Sequence, residues 1–203
     1  LDYVPLDRSR RDSGETPGIR KKATMADVRP FAAVMPPGPK AADVADPPYD
    51  VVSTAEAAAL ADTRPLGFIR VGRAEIDCPT GTDLYDDAVY DQAAENYAML
   101  RRSVPLRQDD APHYYVYSLT MDGRVQTGIV AAAAVDDYEA DVIKKHETTR
   151  KAKEDDRTRH ILRLRSQTGP VFLTYRDAAD LDDLTSRATH GDPAFDFTAD
   201  DGI

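Results

Sequence analysis

Between Lys144 and Arg157 the chain runs K-K-H-E-T-T-R-K-A-K-E-D-D-R, setting two lysines, a histidine and a glutamate side by side ahead of Arg150, Lys153 and Arg157. Glu147 is a carboxylate that can accept a proton from a hydroxyl, and His146 beside it can orient that carboxylate or touch a substrate. Lys145, Arg150, Lys153 and Arg157 supply positive charge for phosphate or carboxylate oxygens. These are the parts of a phosphoryl-transfer site, where positioning and charge neutralisation do most of the chemical work. The competing reading is a solvated, salt-bridged helix start, since charge runs on helices ordinarily face water. The pattern alone leaves both open.

A metal-dependent hydrolase is the weaker alternative. His146, Glu147 and His160 lack the H-E-x-x-H spacing, because Arg150 stands where the second histidine would have to be, so no metal site is expected. The single cysteine, Cys78, allows no internal disulfide and has no histidine near it in sequence, which makes it an inert thiol. His113 and His190 read as ordinary surface or strand residues.

Elements on either side must hold this cluster. Thr148 or Thr149 can cap a helix over Lys151 to Ser166, on which Lys153 and Arg157 share a face and Ile161 and Leu164 point inward, with Gly169-Pro170 as its terminator. Asp136 to Asp141 is an acidic connector leading into the cluster. Earlier in the chain, D-P-P-Y-D at residues 46–50 places two prolines before Tyr49, which restricts the backbone to extended geometry and fixes the direction of the ring. Tyr49 and Asp50 are therefore candidates for a substrate-lining loop, with a well-packed turn as the alternative.

The remaining pattern is α+β: a mixed sheet with an antiparallel hairpin, covered by helices at 85–103 and 151–166. Val28 to Val34 is the first strand, edged or interrupted by Pro30, and Pro36 to Pro39 form a loop. Ser53 and Glu56 make a capping box ahead of an alanine-rich helix. Leu66 to Val71 reads as a strand, and Asp77 to Asp83 as a loop. Tyr85 to Ser103 is the longest helical signal, with Ala88, Ala94, Tyr97, Ala98 and Leu100 near one side. His113 to Thr120 and Val125 to Ala134 form the hairpin around Met121-Asp122-Gly123. Val171 to Tyr175 has the composition of a buried strand, Ala178 to Ala188 of a helix, and Phe195 to Ile203 opens another strand.

With 203 residues the chain can bury one substantial core, and it contains no apolar run of membrane-spanning length. A net charge of -10 and a pI near 4.8 argue against a general nucleic-acid or anionic-membrane surface, so any anion site must be local. Residues 1–24 are polar, carry Pro5, Gly14, Pro17 and Gly18, and read as a disordered extension ahead of a domain over 25–203. No secretory leader is evident, which makes the cytoplasm the default location.

The cluster, from Lys145 through Glu147, Arg150, Lys153 and Glu154 to Asp156, Arg157 and His160, followed by Q-T-G-P-V-F-L-T-Y at 167–175, resembles the bacterial proteins known as domain of unknown function 1015. D-P-P-Y-D-V-V at 46–52 and M-A-D-V-R-P-F at 25–31 are similar to earlier words of the same family, so the resemblance covers 25–203. By that resemblance the chain is an N-terminal part, lacking a later D-G-H-H-R word. A glutamate word paired with D-G-H-H-R is also similar to free-serine kinases built on the ParB-like fold. That looser likeness implies Glu147 as general base, ATP or ADP with Mg2+ as cofactor, and a small hydroxyl compound such as free serine as substrate. The other function it implies is a nucleotide-binding module that regulates protein association without catalysis.

Overall fold

A computed structural model of the chain describes residues 25–146 and 148–199. The expected extension at 1–24, the proposed base Glu147 and residues 200–203 lie outside the described residues. Among the described residues there are seven α-helices and six short strands, an α+β architecture as the sequence implies.

The proline-rich stretch after residue 35 is not simply a loop. Pro39, with its φ already set for a helical turn, lies in a 3-10 turn over Gly38–Lys40 that runs into α1 (Ala41–Val44). Helix α2 (Thr54–Thr63) begins with the expected capping box: Ser53 Oγ accepts from the Glu56 amide, and the Glu56 carboxylate accepts from the Ser53 amide at 2.7 Å. The Ser53 hydroxyl also donates to this carboxylate at 2.6 Å, and that bond, with the one from the Ser53 amide, holds the carboxyl of Glu56 below its ordinary range.

Leu66 to Val71, expected as a strand, instead holds α3 (Ile69–Gly72). A short apolar run carries no decisive period, and tertiary contacts settle it. The Asp46 carboxylate accepts the Ile69 amide at 2.7 Å, satisfying a donor that a helix start leaves unpaired. Gly67 is required beside it, because a Cβ there would come within 2.3 Å of Asp46 Oδ2.

Helix α4 (Asp87–Ser103) is the scaffold. Asp86 accepts the Ala88 amide at its start, and Arg101 and Arg102 lie in its last turn, where they complement the helix dipole. Its inward stripe is Val89, Tyr90, Ala93, Asn96, Tyr97 and Leu100, spaced three and four apart. This corrects the sequence reading, since Ala88 and Ala98 are exposed. Turning Val89, Tyr90 and Tyr97 inward removes more apolar surface from water than turning alanines inward would. Val44, Val71, Ala74, Val104 and Leu164 pack on this stripe to form the main core, and Ala57, Ala61 and Ile69 form a second cluster.

The acidic connector is partly helical, as α5 (Val135–Glu139). Helix α6 (Lys151–Leu164) starts from Arg150 with no side-chain cap, so neither Thr148 nor Thr149 fills that role. It ends where Arg165 turns left-handed at φ 53°, short of the expected Gly169-Pro170 stop. Leu164 is buried as expected, but its companions on the inward face are Asp156 and His160, and Ile161 is only half-buried. Helix α7 (Ala179–Ala188) matches the expected segment.

Pro30 does interrupt the first strand. It separates β1 (Val28–Arg29) from β2 (Val34–Met35). β3 (Arg107–Gln108) pairs with β2, the hairpin is β4 (Tyr115–Met121) with β5 (Arg124–Val130), and β6 (Ala132–Ala133) pairs with β1. Among the described residues all pairings are antiparallel, in three two-stranded sheets, and a Phe31–His113 bridge lies between the two short ladders. The hairpin turns at Asp122 and Gly123, both with positive φ (53° and 74°), as a two-residue turn of matching twist requires. Helices α4 and α6 pack on each other and not over the hairpin, because the apolar stripe of α4 is used up by α3 and α6. Val171 to Tyr175 is exposed and without strand pairing, and residues 195–199 form no strand. High β-propensity makes a strand only where a partner edge is offered. No helix among the described residues is long and apolar enough to cross a membrane.

Candidate functional site

The inward polar face of α6 opens onto a cleft bounded by the Tyr49 loop, α3 and α4. At its floor Asp156, with a side chain 8% exposed, is shared between two donors. Tyr90 Oη donates to Asp156 Oδ1 at 2.8 Å, and Arg157 donates to Oδ2 from Nε at 3.1 Å and from Nη2 at 2.9 Å. The Arg157 guanidinium lies over the Tyr49 ring, 4.0 Å from its centroid. One edge of the guanidinium is held by a carboxylate and one face by an aromatic ring. The opposite edge, at Nη1, has no protein acceptor among the described residues. Such an edge suits two-pronged contact with a phosphate or carboxylate.

The Tyr49 loop is held by Arg73. Its Nη1 donates to the carbonyls of Tyr49 at 3.0 Å and Val52 at 2.8 Å, its Nη2 to Thr54 Oγ1 at 2.8 Å, and its Nε to Glu75 at 2.7 Å. Gly72 lets the loop approach closely, since a Cβ there would lie 3.3 Å from that of Tyr49. The rigidity expected from Pro47 and Pro48 thus has a second source.

His160 Nε2 lies 2.9 Å from the Val71 carbonyl, which can only accept, so Nε2 carries the proton. Burial lowers the imidazole pKa, and Arg157 adds to that, so the neutral form is favoured. Burial, reinforced by the hydrogen bond to Asp156, pushes the Tyr90 hydroxyl up to about 12. Three cations line the cleft, Arg73, Lys153 and Arg157, against two carboxylates, Glu75 and Asp156. Glu75 is neutralised by Arg73 and Asp156 by Arg157, while Lys153 has no ionic partner among the described residues. The cleft is therefore locally positive on a chain of net charge -10.

Of the residues proposed from sequence, the fold brings Tyr49, Lys153 and Arg157 to this cleft. Arg150 begins α6 and is exposed, and Asp50 is exposed; neither lines the cleft. Lys145 lies over the Tyr138 ring at 4.3 Å, and His146 is exposed, also away from the cleft lining. Glu147 lies outside the described residues. Sequence reasoning assigned no site role to Tyr90, Asp156 or Arg73. Tyr90 falls within the 85–103 helical stretch but outside the face read there, Asp156 looked like one acid in a charged helix, and nothing local marks Arg73. Cys78 is half-buried against the core with its thiol pKa raised by burial, in keeping with an inert role.

Among the described residues no group of three or more His, Cys, Asp or Glu side chains could hold a metal ion. The donor set of the cleft, a guanidinium edge and an ammonium, fits anionic oxygens better than a bare cation. A family model described as Protein of unknown function (DUF1015) matches residues 28–203. Comparison with curated proteins found no match, and comparison with solved structures found none.

Proposed function

This chain belongs to the DUF1015 family, and we propose that its cleft binds the phosphates of a nucleotide as part of a phosphotransferase acting on a small hydroxyl compound such as free serine. The observation that carries the reading is Arg157. Its guanidinium is fixed by Asp156 and Tyr49 before any ligand arrives, and one edge remains to be used. Lys153, one turn earlier on the same helix, adds a mobile point charge at the mouth. A bound nucleotide would supply the transferable phosphoryl group, with Mg2+ carried largely on its own phosphates. Glu147, through the resemblance, is the proposed base for the substrate hydroxyl, and His146 its neighbour in sequence.

One observation favours a second reading, a nucleotide-binding module without catalysis. Both carboxylates lining the described cleft are committed, Glu75 to Arg73 and Asp156 to Tyr90 and Arg157. Catalysis therefore depends on a base supplied from elsewhere in the chain.

Incubation with Mg2+ and ATP labelled on its terminal phosphate, in the presence of L-serine, separates the two. Labelled phosphoserine from the wild type and none from Glu147→Gln supports the phosphotransferase. Saturable ATP binding with no labelled product supports the binding module, and absence of binding to ATP or ADP refutes both.

A further inference from the structure

We propose that Tyr90, acting through Asp156, is a positioning residue for Arg157, presetting the guanidinium for an anion. This deepens the phosphate-binding reading above and rests on it for its functional arm only. Tyr90 is 4% exposed, yet its hydroxyl is spent on a carboxylate and not on backbone. Its ring is pinned independently, because the Arg159 guanidinium lies 4.3 Å over it while donating to the Tyr85 carbonyl and to Asp87.

The arrangement is a short relay from α4 to the cleft. Tyr90 takes Oδ1 of Asp156, which leaves Oδ2 turned toward the Nε and Nη2 edge of Arg157. Without the hydroxyl, the Asp156 carboxylate can rotate about its terminal torsion, a soft two-fold motion, and Arg157 loses its fixed reference. A guanidinium that must be ordered at the moment of binding binds more weakly than one already ordered. The raised pKa of Tyr90 keeps its hydroxyl a donor throughout the neutral range. A purely structural tyrosine would contribute the same burial without any effect on anion affinity that requires Arg157.

The test uses the full 203-residue chain. Tyr90→Phe keeps the ring and its stacking and removes only the hydroxyl; Asp156→Asn is the second variant, keeping the side-chain size. The first readout needs no ligand. In 1H-15N spectra the Arg157 Nε–H signal, assigned as the one lost in Arg157→Gln, is expected to broaden or exchange faster in Tyr90→Phe and in Asp156→Asn. The second is a titration with inorganic phosphate and with MgADP. Tyr90→Phe is expected to weaken affinity about three- to ten-fold, the equivalent of one hydrogen bond, and to have no further effect in the Arg157→Gln background. An unchanged Nε–H signal in folded Tyr90→Phe overturns the relay. Equal weakening with and without Arg157 also overturns it, in favour of a structural role. A changed Nε–H signal in a protein whose wild type binds neither probe upholds the positioning geometry and refutes the phosphate reading instead.

Discussion

Replacing Arg73 with alanine should cost about 3 kcal/mol of stability, a figure that follows from what its guanidinium holds. It donates to Glu75, to Thr54 and to two loop carbonyls, those of Tyr49 and Val52, and the side chains of Arg73 and Glu75 are only 17% and 9% exposed. Leaving Glu75 with its main partner gone costs roughly 1.5–3 kcal/mol, as a largely buried charged acceptor, and loss of the bonds to the loop carbonyls adds about 1 kcal/mol after water replaces part of them. For a chain of this length 1 kcal/mol corresponds to about 2–4 °C, so the thermal midpoint by circular dichroism should fall by about 6–12 °C. Arg73→Lys should recover only part of the loss, since one ammonium can face Glu75 but cannot span the loop carbonyls as well. Lys151→Ala is the matched control. Its partner Asp155 is 56% exposed and Lys151 itself 76%, so the midpoint should barely move. A midpoint for Arg73→Ala within about 2 °C of wild type would refute the claim that this arginine holds the Tyr49 loop in place.

Further outcomes follow from other contacts. Ser53→Ala removes one half of the capping box and should cost about 1 kcal/mol by urea denaturation; no change would mean that α2 is held by packing alone. His160 has a folded pKa below its ordinary value near 6.5, so the unfolded chain binds the extra proton first. Its contribution to stability is complete above about pH 6.5 and is lost as pH falls through that value, at up to about 1.4 kcal/mol per pH unit, levelling below the folded pKa. The difference in urea midpoint between wild type and His160→Gln should therefore shrink from pH 7.5 to pH 5.5; a constant difference would contradict the buried neutral imidazole. Cys78, with its thiol raised by burial, should react with iodoacetamide more slowly at pH 8 than a cysteine in the denatured chain, and equal rates would contradict its packing.

Much of the helical framework was legible in the sequence because its signals are local. The capping box at Ser53 and Glu56, the long periodic stretch that became α4 and the Asp122-Gly123 turn each carry their information within a few residues. The failures share a cause. The end of Leu66 to Val71 became a helix because Asp46, distant in sequence, caps Ile69, and Val171 to Tyr175 stayed exposed and unpaired because strand formation needs an edge the local sequence does not specify. In the cleft, Tyr49 lies in a turn, where the Val51 amide donates to the Pro48 carbonyl, and not in the extended backbone expected from two prolines, whereas the shared face of Lys153 and Arg157 could be read from helical spacing. The partners that give Arg157 its orientation could not. Tyr90 is sixty-six positions from Asp156, and their hydrogen bond exists only once α4 and α6 have packed. A buried tyrosine hydroxyl and a half-buried arginine look, in sequence, like an aromatic stripe and a solvated charge.

The most direct test of the central claim, that a preordered Arg157 makes this cleft a phosphate site, is calorimetric titration of MgADP into wild type and Arg157→Gln under one salt condition. Saturable one-site binding to the wild type, weakened at least ten-fold by the substitution with no loss of fold, is the predicted result, since a charge-assisted two-pronged contact is worth about 1.5–3 kcal/mol. Equal affinity in both proteins would contradict it.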